Sequence, residues 1–177
     1  MNTKNTYTQS PWSLDDLFHG LDDPAIDEAY QKIESLVTEF EKYRSALTPE
    51  ISEQKFMEVI KSSEEIEKLG YRIYGFANLS FAANTQDQKA QIALARIQQF
   101  AAEISNRMLF FSLWWKGLDD ANAERLLAAS GDYRYWLEQM RHFKPYTLSE
   151  PEEKVINIKN VTGWNALNTL YDSITNR

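Results

Sequence analysis

Only two residues in the chain could act as imidazole bases or nitrogen ligands, His19 and His142, and they stand far apart in the sequence. A zinc peptidase motif of the form H-E-x-x-H needs two histidines four positions apart. Both rings then leave one helix face toward the metal, with the glutamate beside them. No such pair exists here, and there is no cysteine. Thiolate nucleophiles, disulfides and cysteine-ligated zinc are therefore excluded. His142 sits between Arg141 and Phe143 and near Lys144, which reads as the basic end of a helix. His19 falls in an irregular arm. Serine catalysis would need a positioned base, and no G-x-S-x-G occurs. Neither G-x-x-x-x-G-K-[ST] nor G-x-G-x-x-G is present, so nothing supports nucleotide binding.

Paired carboxylates do occur, at Asp15/Asp16, Asp22/Asp23, Glu64/Glu65, Asp119/Asp120 and Glu152/Glu153. Adjacent residues on a helix point about 100° apart, so none forms a shared acid–base dyad. Most lie where helices begin, and negative charge there complements the helix dipole. Two aromatic strings remain. Asp132-Tyr133-Arg134-Tyr135-Trp136 could line a peptide groove or could pack a helix start onto the core. Phe110 to Trp115 reads as core or as a buried interface; turned outward, it would mark a partner surface.

The elements that must position these groups are helical. With five Pro and six Gly in 177 residues the chain has few places to turn, and 43% hydrophobic and 13% aromatic residues can fill a core. Asp23-Pro24 opens a helix, because the aspartate caps and the proline lacks only an N–H that would be unpaired anyway. Ile26, Ile33, Phe40 and Leu47 recur at sevens, with Ala29, Leu36 and Tyr43 between them. That stripe packs nearly antiparallel neighbours. A second helix covers about 50–83, where Gly70 and Ala77 would let a neighbouring backbone approach. A third covers about 87–116, ending at Gly117 in a left-handed turn.

Shorter helices follow at about 120–129 and 133–142. Phe143 to Thr147 reads as extended. Ser149-Glu150-Pro151-Glu152 is a capping box opening a helix of about 150–160. Thr162-Gly163 interrupts, and a last helix over 163–177 carries Leu167, Leu170, Tyr171 and Ile174. The expected fold is an all-α antiparallel bundle of three long helices, about 24–47, 50–83 and 87–116, followed by the shorter ones. Its divisions are an N-terminal arm (1–20), a helical lobe (21–148) and a further helical segment (149–177). In the arm, Trp12, Leu14, Leu17 and Phe18 should dock on the body. The last apolar stripe is still in progress at Ile174, which suggests a polypeptide that continues.

The net charge of −7 repels phosphate backbones and argues against a nucleic-acid partner. No apolar stretch approaches the roughly 20 residues that span a bilayer. The polar first residues lack the apolar core of a signal peptide, so the cytoplasm is the expected compartment.

Several strings in order resemble the oligoendopeptidase F family: WSLDDLF from Trp12, FAANTQD from Phe81, FFSLWW from Phe110 and GDYRYWL from Gly131. The longest is PYTLSEPEEK from Pro145, followed by Thr162-Gly163 and YDSIT from Tyr171. The resemblance implies a cytoplasmic zinc metallopeptidase of the thimet oligopeptidase type. In such proteins an N-terminal helical lobe faces a catalytic lobe across a channel that admits short peptides. The catalytic lobe holds H-E-x-x-H and a further glutamate. No zinc ligand carries over, so the chain needs no cofactor of its own and zinc is implied only for the parent. The expected partners are a catalytic lobe of the same polypeptide, short peptides and a second copy of this chain. Tyr133, Arg134, Trp136 and Tyr146 are the groove candidates, chosen for aromatic and charged character. A free-standing helical interaction module is the alternative.

Overall fold

The protein is described by a computed structural model covering residues 13–175. All regular structure in that span is helical. Trp12 and the final Asn176-Arg177 lie outside the described residues.

Asp23 and Pro24 open the first helix as the residue types require. Asp23 Oδ1 accepts from Ala25 N at 2.9 Å and Oδ2 accepts from His19 N at 2.9 Å. α1 runs Pro24–Glu41 and tightens into a 3-10 turn over Lys42–Ala46, so the expected single helix to 47 ends early. α2 spans Glu53–Ala83 and begins three residues later than expected, because Ser52 is the residue that caps it. Asp87 Oδ1 caps α3, Gln88–Gly117, by accepting from Lys89 N at 2.8 Å.

The side-chain partners fix how these helices run. Arg96 meets Asp27, and Arg107 meets Glu34 and Glu41, so α1 and α3 ascend together. α2 lies antiparallel to both, pairing Glu65 with Lys32 and placing Phe56 against the Phe111–Trp115 end of α3. The sevens of the sequence become core: Ile33, Phe40, Ile97, Ile104 and Phe111 are all buried. Leu14 and Leu17 are half-buried and Phe18 is buried edge-on to Phe76 at 5.3 Å, so this part of the arm does dock.

α4 (Asp120–Ala128) and α5 (Arg134–His142) close the aromatic end of the bundle. Trp115 is fully buried there and its Nε1 donates to the Leu137 carbonyl at 2.9 Å. The aromatic string from Phe110 is thus core, with Phe110, Phe111 and Trp115 all buried.

Three local expectations are corrected. Gly117 is helical and not left-handed; the helix stops because Leu118 turns extended and Asp119 caps α4. Gly131 is the glycine that needs its freedom, at φ 52° between α4 and α5. Phe143 to Thr147 is not extended but holds a 3-10 turn over Lys144–Tyr146, which Pro145 fits with its fixed φ. A Cβ on Gly70 would meet nothing within 4 Å, so no backbone approaches it.

Ser149 and Glu152 form the expected capping box at the start of α6, Glu150–Asn160. Thr162-Gly163 does not break the chain's course. It widens into a π turn, Val161–Asn165, that leads without interruption into α7, Ala166–Thr175. A glycine that can relax into i→i+5 bonding bends a helix without ending it. α6 and the π turn lie along α3, held by Asn106 Nδ2 to Lys154 O at 3.3 Å and Asn157 Nδ2 to Asn106 Oδ1 at 2.9 Å.

Candidate functional site

The feature best suited to hold a ligand is a groove where α2 and α3 part. Its wider section, about 330 Å³, is walled by Glu67, Tyr71 and Tyr74 of α2 and by Phe100, Ile104 and Met108 of α3. Gly70 leaves its floor open, since no side chain rises there. A second section of about 210 Å³ shares Glu67, Ser105 and Met108 with the first. It is closed by Trp136 and Met140 of α5 and Asn157 of α6.

The helical repeat explains this wall. Glu67, Gly70, Tyr71 and Tyr74 recur at three and four, so they share one face of α2. That face adjoins the core stripe of Ile66 and Ile73. Tyr71 and Tyr74 are exposed, at 71% and 40%, although tyrosines on a helix usually bury their rings against a neighbour. They offer open aromatic faces to anything that enters.

Among the described residues Glu67 is the only charged side chain lining either section. Crowding by the groove walls, with the neighbouring Glu64 carboxylate adding repulsion, raises its pKa above the ordinary glutamate value. The residue as a whole remains exposed to solvent. By contrast Glu64 is held below its ordinary value, first by Lys68 and then by the Tyr133 hydroxyl.

Of the four residues singled out from the sequence, the structure brings one to this groove. Trp136 lines it, 37% exposed. Tyr133 turns instead toward α2 and donates to Glu64 Oε2 at 2.7 Å. That bond to a carboxylate raises the tyrosine pKa. Arg134 is engaged by Glu124 at 3.1 Å and Glu138 at 2.7 Å. Tyr146 stands 78% exposed on the turn before α6 and lines neither section of the groove. The sequence reasoning missed Glu67, Tyr71, Tyr74 and Met108. Gly70 and Gly75 inside one helix, flanking two tyrosines, were the available signal.

The residues present do not fit zinc. Among the described residues no group of three or more His, Cys, Asp or Glu is placed to hold a metal. His19 and His142 are both exposed and stand far apart in the sequence.

The described residues thus form a helical scaffold with an open, largely apolar groove between α2 and α3. Residues 114–177 match the N-terminal family model of peptidase family M3, described as oligopeptidase F. The chain therefore resembles the N-terminal part of oligoendopeptidase F-type peptidases. The matched stretch takes in the end of α3, α4, α5 and all of α6 to α7, including Trp136 and Asn157 of the groove. No curated protein matches the chain, and no solved structure does. No helix among the described residues is long and apolar enough to cross a membrane.

Proposed function

We propose that this chain is the access-shaping helical lobe of a zinc-dependent oligoendopeptidase acting on short peptides. The metal and the reacting residues then belong to a separate catalytic lobe of the same polypeptide. One observation carries the reading, beside the family match. The α6–α7 rod within the matched stretch is amphipathic the wrong way round for a helix that ends its packing on this body. Trp164, Leu167, Leu170, Tyr171 and Ile174 are between 56% and 68% exposed. From Asn165 onward its half-buried positions are polar: Asn165, Thr169, Asp172 and Ser173. Thr169 and Ser173 turn their hydroxyls back onto the helix carbonyls of Asn165 and Thr169.

A contiguous apolar face of this kind marks a surface that another body covers. A catalytic lobe docked there leaves the body of α1 to α5 on the far side of the rod. The lobe's part in catalysis is steric. Helices restrict which peptides reach the reacting groups, and the groove holds part of the substrate. No proton transfer or bond cleavage is assigned to this chain.

The test lies in the encoding reading frame. An H-E-x-x-H motif with a further glutamate is expected downstream of codon 177. A downstream sequence without it overturns the peptidase reading and leaves the covered face to a second copy or another protein.

A further inference from the structure

Among the described residues Glu67 is an anion without a partner, in a groove whose other walls are mainly aromatic and aliphatic with a few serines and Asn157. No hydrogen bond or ion pair among the described residues engages its carboxylate. The nearest cations in sequence are drawn elsewhere. Lys68 pairs with Glu64 at 2.9 Å. Arg72 donates to the Leu17 carbonyl at 2.6 Å and stacks over Phe18 at 4.6 Å. Glu65 has Lys32 at 4.0 Å. The helix thus satisfies the acids on either side of the groove and leaves the one inside it free.

Three further features point to what would complete it. Tyr71 and Tyr74 stand one and two turns along from Glu67 and present exposed rings, and cations are drawn to such faces. Met108, shared by both sections, and Met140 give soft apolar walls that fit an aliphatic stem. Gly70, between Glu67 and the tyrosines, weakens the helix relative to alanine. No packing demands it, since a Cβ would meet nothing within 4 Å. What it does is keep the groove floor clear.

We propose that this groove binds the arginine or lysine side chain of a short peptide, with Glu67 as the counter-ion and Tyr71 and Tyr74 over the cationic head. This rests on the peptide-binding lobe proposed above and adds which residue the lobe selects. Charge complementarity chooses the occupant: a cationic head would pair with the exposed Glu67 carboxylate, while a neutral side chain would gain only the apolar walls.

The experiment titrates the 177-residue chain with acetylated, amidated Leu-Arg-Leu and with its norleucine counterpart, following the methyl resonances of Met108 and Met140. The arginine peptide is expected to bind at least tenfold tighter, with both methyls shifting. Glu67→Gln should bring the two peptides to equal affinity, and Gly70→Leu should abolish binding of both. Gly70→Ala, checked by circular dichroism, shows that a side chain at 70 leaves the fold intact.

Equal binding of both peptides by the unmodified chain, lost in Gly70→Leu, overturns the cation preference while leaving a peptide groove in place. A peptide with a free amino terminus and no basic residue that binds as tightly as the arginine peptide overturns the side-chain assignment. Methyl shifts that follow protein concentration alone place a second copy in the groove and overturn the proposal. So does the absence of any shift with either peptide. Failure of the peptidase reading shows separately, in the reading frame.

Discussion

Arg44 and Glu150, 106 residues apart in sequence, meet as a two-pronged pair, Nη2 to Oε1 at 2.7 Å and Nη1 to Oε2 at 3.3 Å. The same guanidinium lies over the Phe110 ring at 4.8 Å. One side chain after α1 therefore ties the start of α6 to the body formed by α1 and α3. Lys154 adds a second cation to Glu150 at 2.7 Å.

This clasp makes the seating of α6 depend on pH. Arg44, then Lys154, holds the Glu150 pKa at about 2, below its ordinary 4.5. A carboxylate depressed in the folded state contributes fully above its unfolded value. That contribution is lost as pH falls from about 4.5 through 2. Amide exchange in α6 should accelerate over that window ahead of exchange in α3. Arg44→Ala should produce the same loosening at neutral pH. Because the pair is partly solvated, its effect should be about 0.5–1 kcal/mol. Unchanged α6 exchange in Arg44→Ala would show that the clasp is incidental.

Trp115 fills the centre of the aromatic core and its indole N–H is used. Trp115→Ala should cost about 3–5 kcal/mol in urea denaturation, from the cavity and the lost contacts. The Leu137 carbonyl also loses its donor. A loss below 1 kcal/mol would mean that the end of α3 is not packed as described.

Gly75 lies within α2, and a Cβ there would meet nothing within 4 Å. Gly75→Ala should raise stability by about 0.5–1 kcal/mol, read as a higher urea midpoint. Destabilisation would reveal a neighbour that the fold does not place there.

The apolar face of α7 should drive self-association when no other body covers it. Leu167 and Leu170 are 64% and 56% exposed, so Leu167→Glu with Leu170→Glu should leave the urea midpoint within about 0.5 kcal/mol of wild type. In sedimentation velocity the wild-type coefficient should climb with concentration and the double variant should stay monomeric. Equal behaviour of the two would remove this face as an interface.

The helices themselves were legible in the sequence because their signals are local. Asp23-Pro24, Asp87 and the Ser149–Glu152 box each place a polar group where the first turn lacks partners. The a/d spacing of Ile33 and Phe40 or of Ile97, Ile104 and Phe111 states which face goes inward. Thr162-Gly163 misled because a glycine can end a helix or widen it, and only the packing of α6 on α3 decides between them. Gly117 misled because Asp119 already supplies a stop.

The groove was the least legible part. Tyr133 and Arg134 have the character of ligand-binding residues, but Glu64, Glu124 and Glu138 occupy them. The Tyr133–Glu64 bond joins residues distant in sequence, while the Arg134–Glu138 pair, four apart on α5, was open to a helical reading. Glu67 carries no local signal that sets it apart from Glu64 and Glu65 on the same helix. Its isolation arises only when Lys68 and Arg72 are seen to turn away.

The central claim, an access-shaping lobe that serves a separate zinc centre, is tested most directly by peptide hydrolysis with zinc content measured on the same samples. The full polypeptide encoded by this reading frame should bind stoichiometric zinc and cleave short peptides, while residues 1–177 alone do neither. A zinc-free, inactive full polypeptide would contradict the claim, as would hydrolysis by residues 1–177 at a comparable rate.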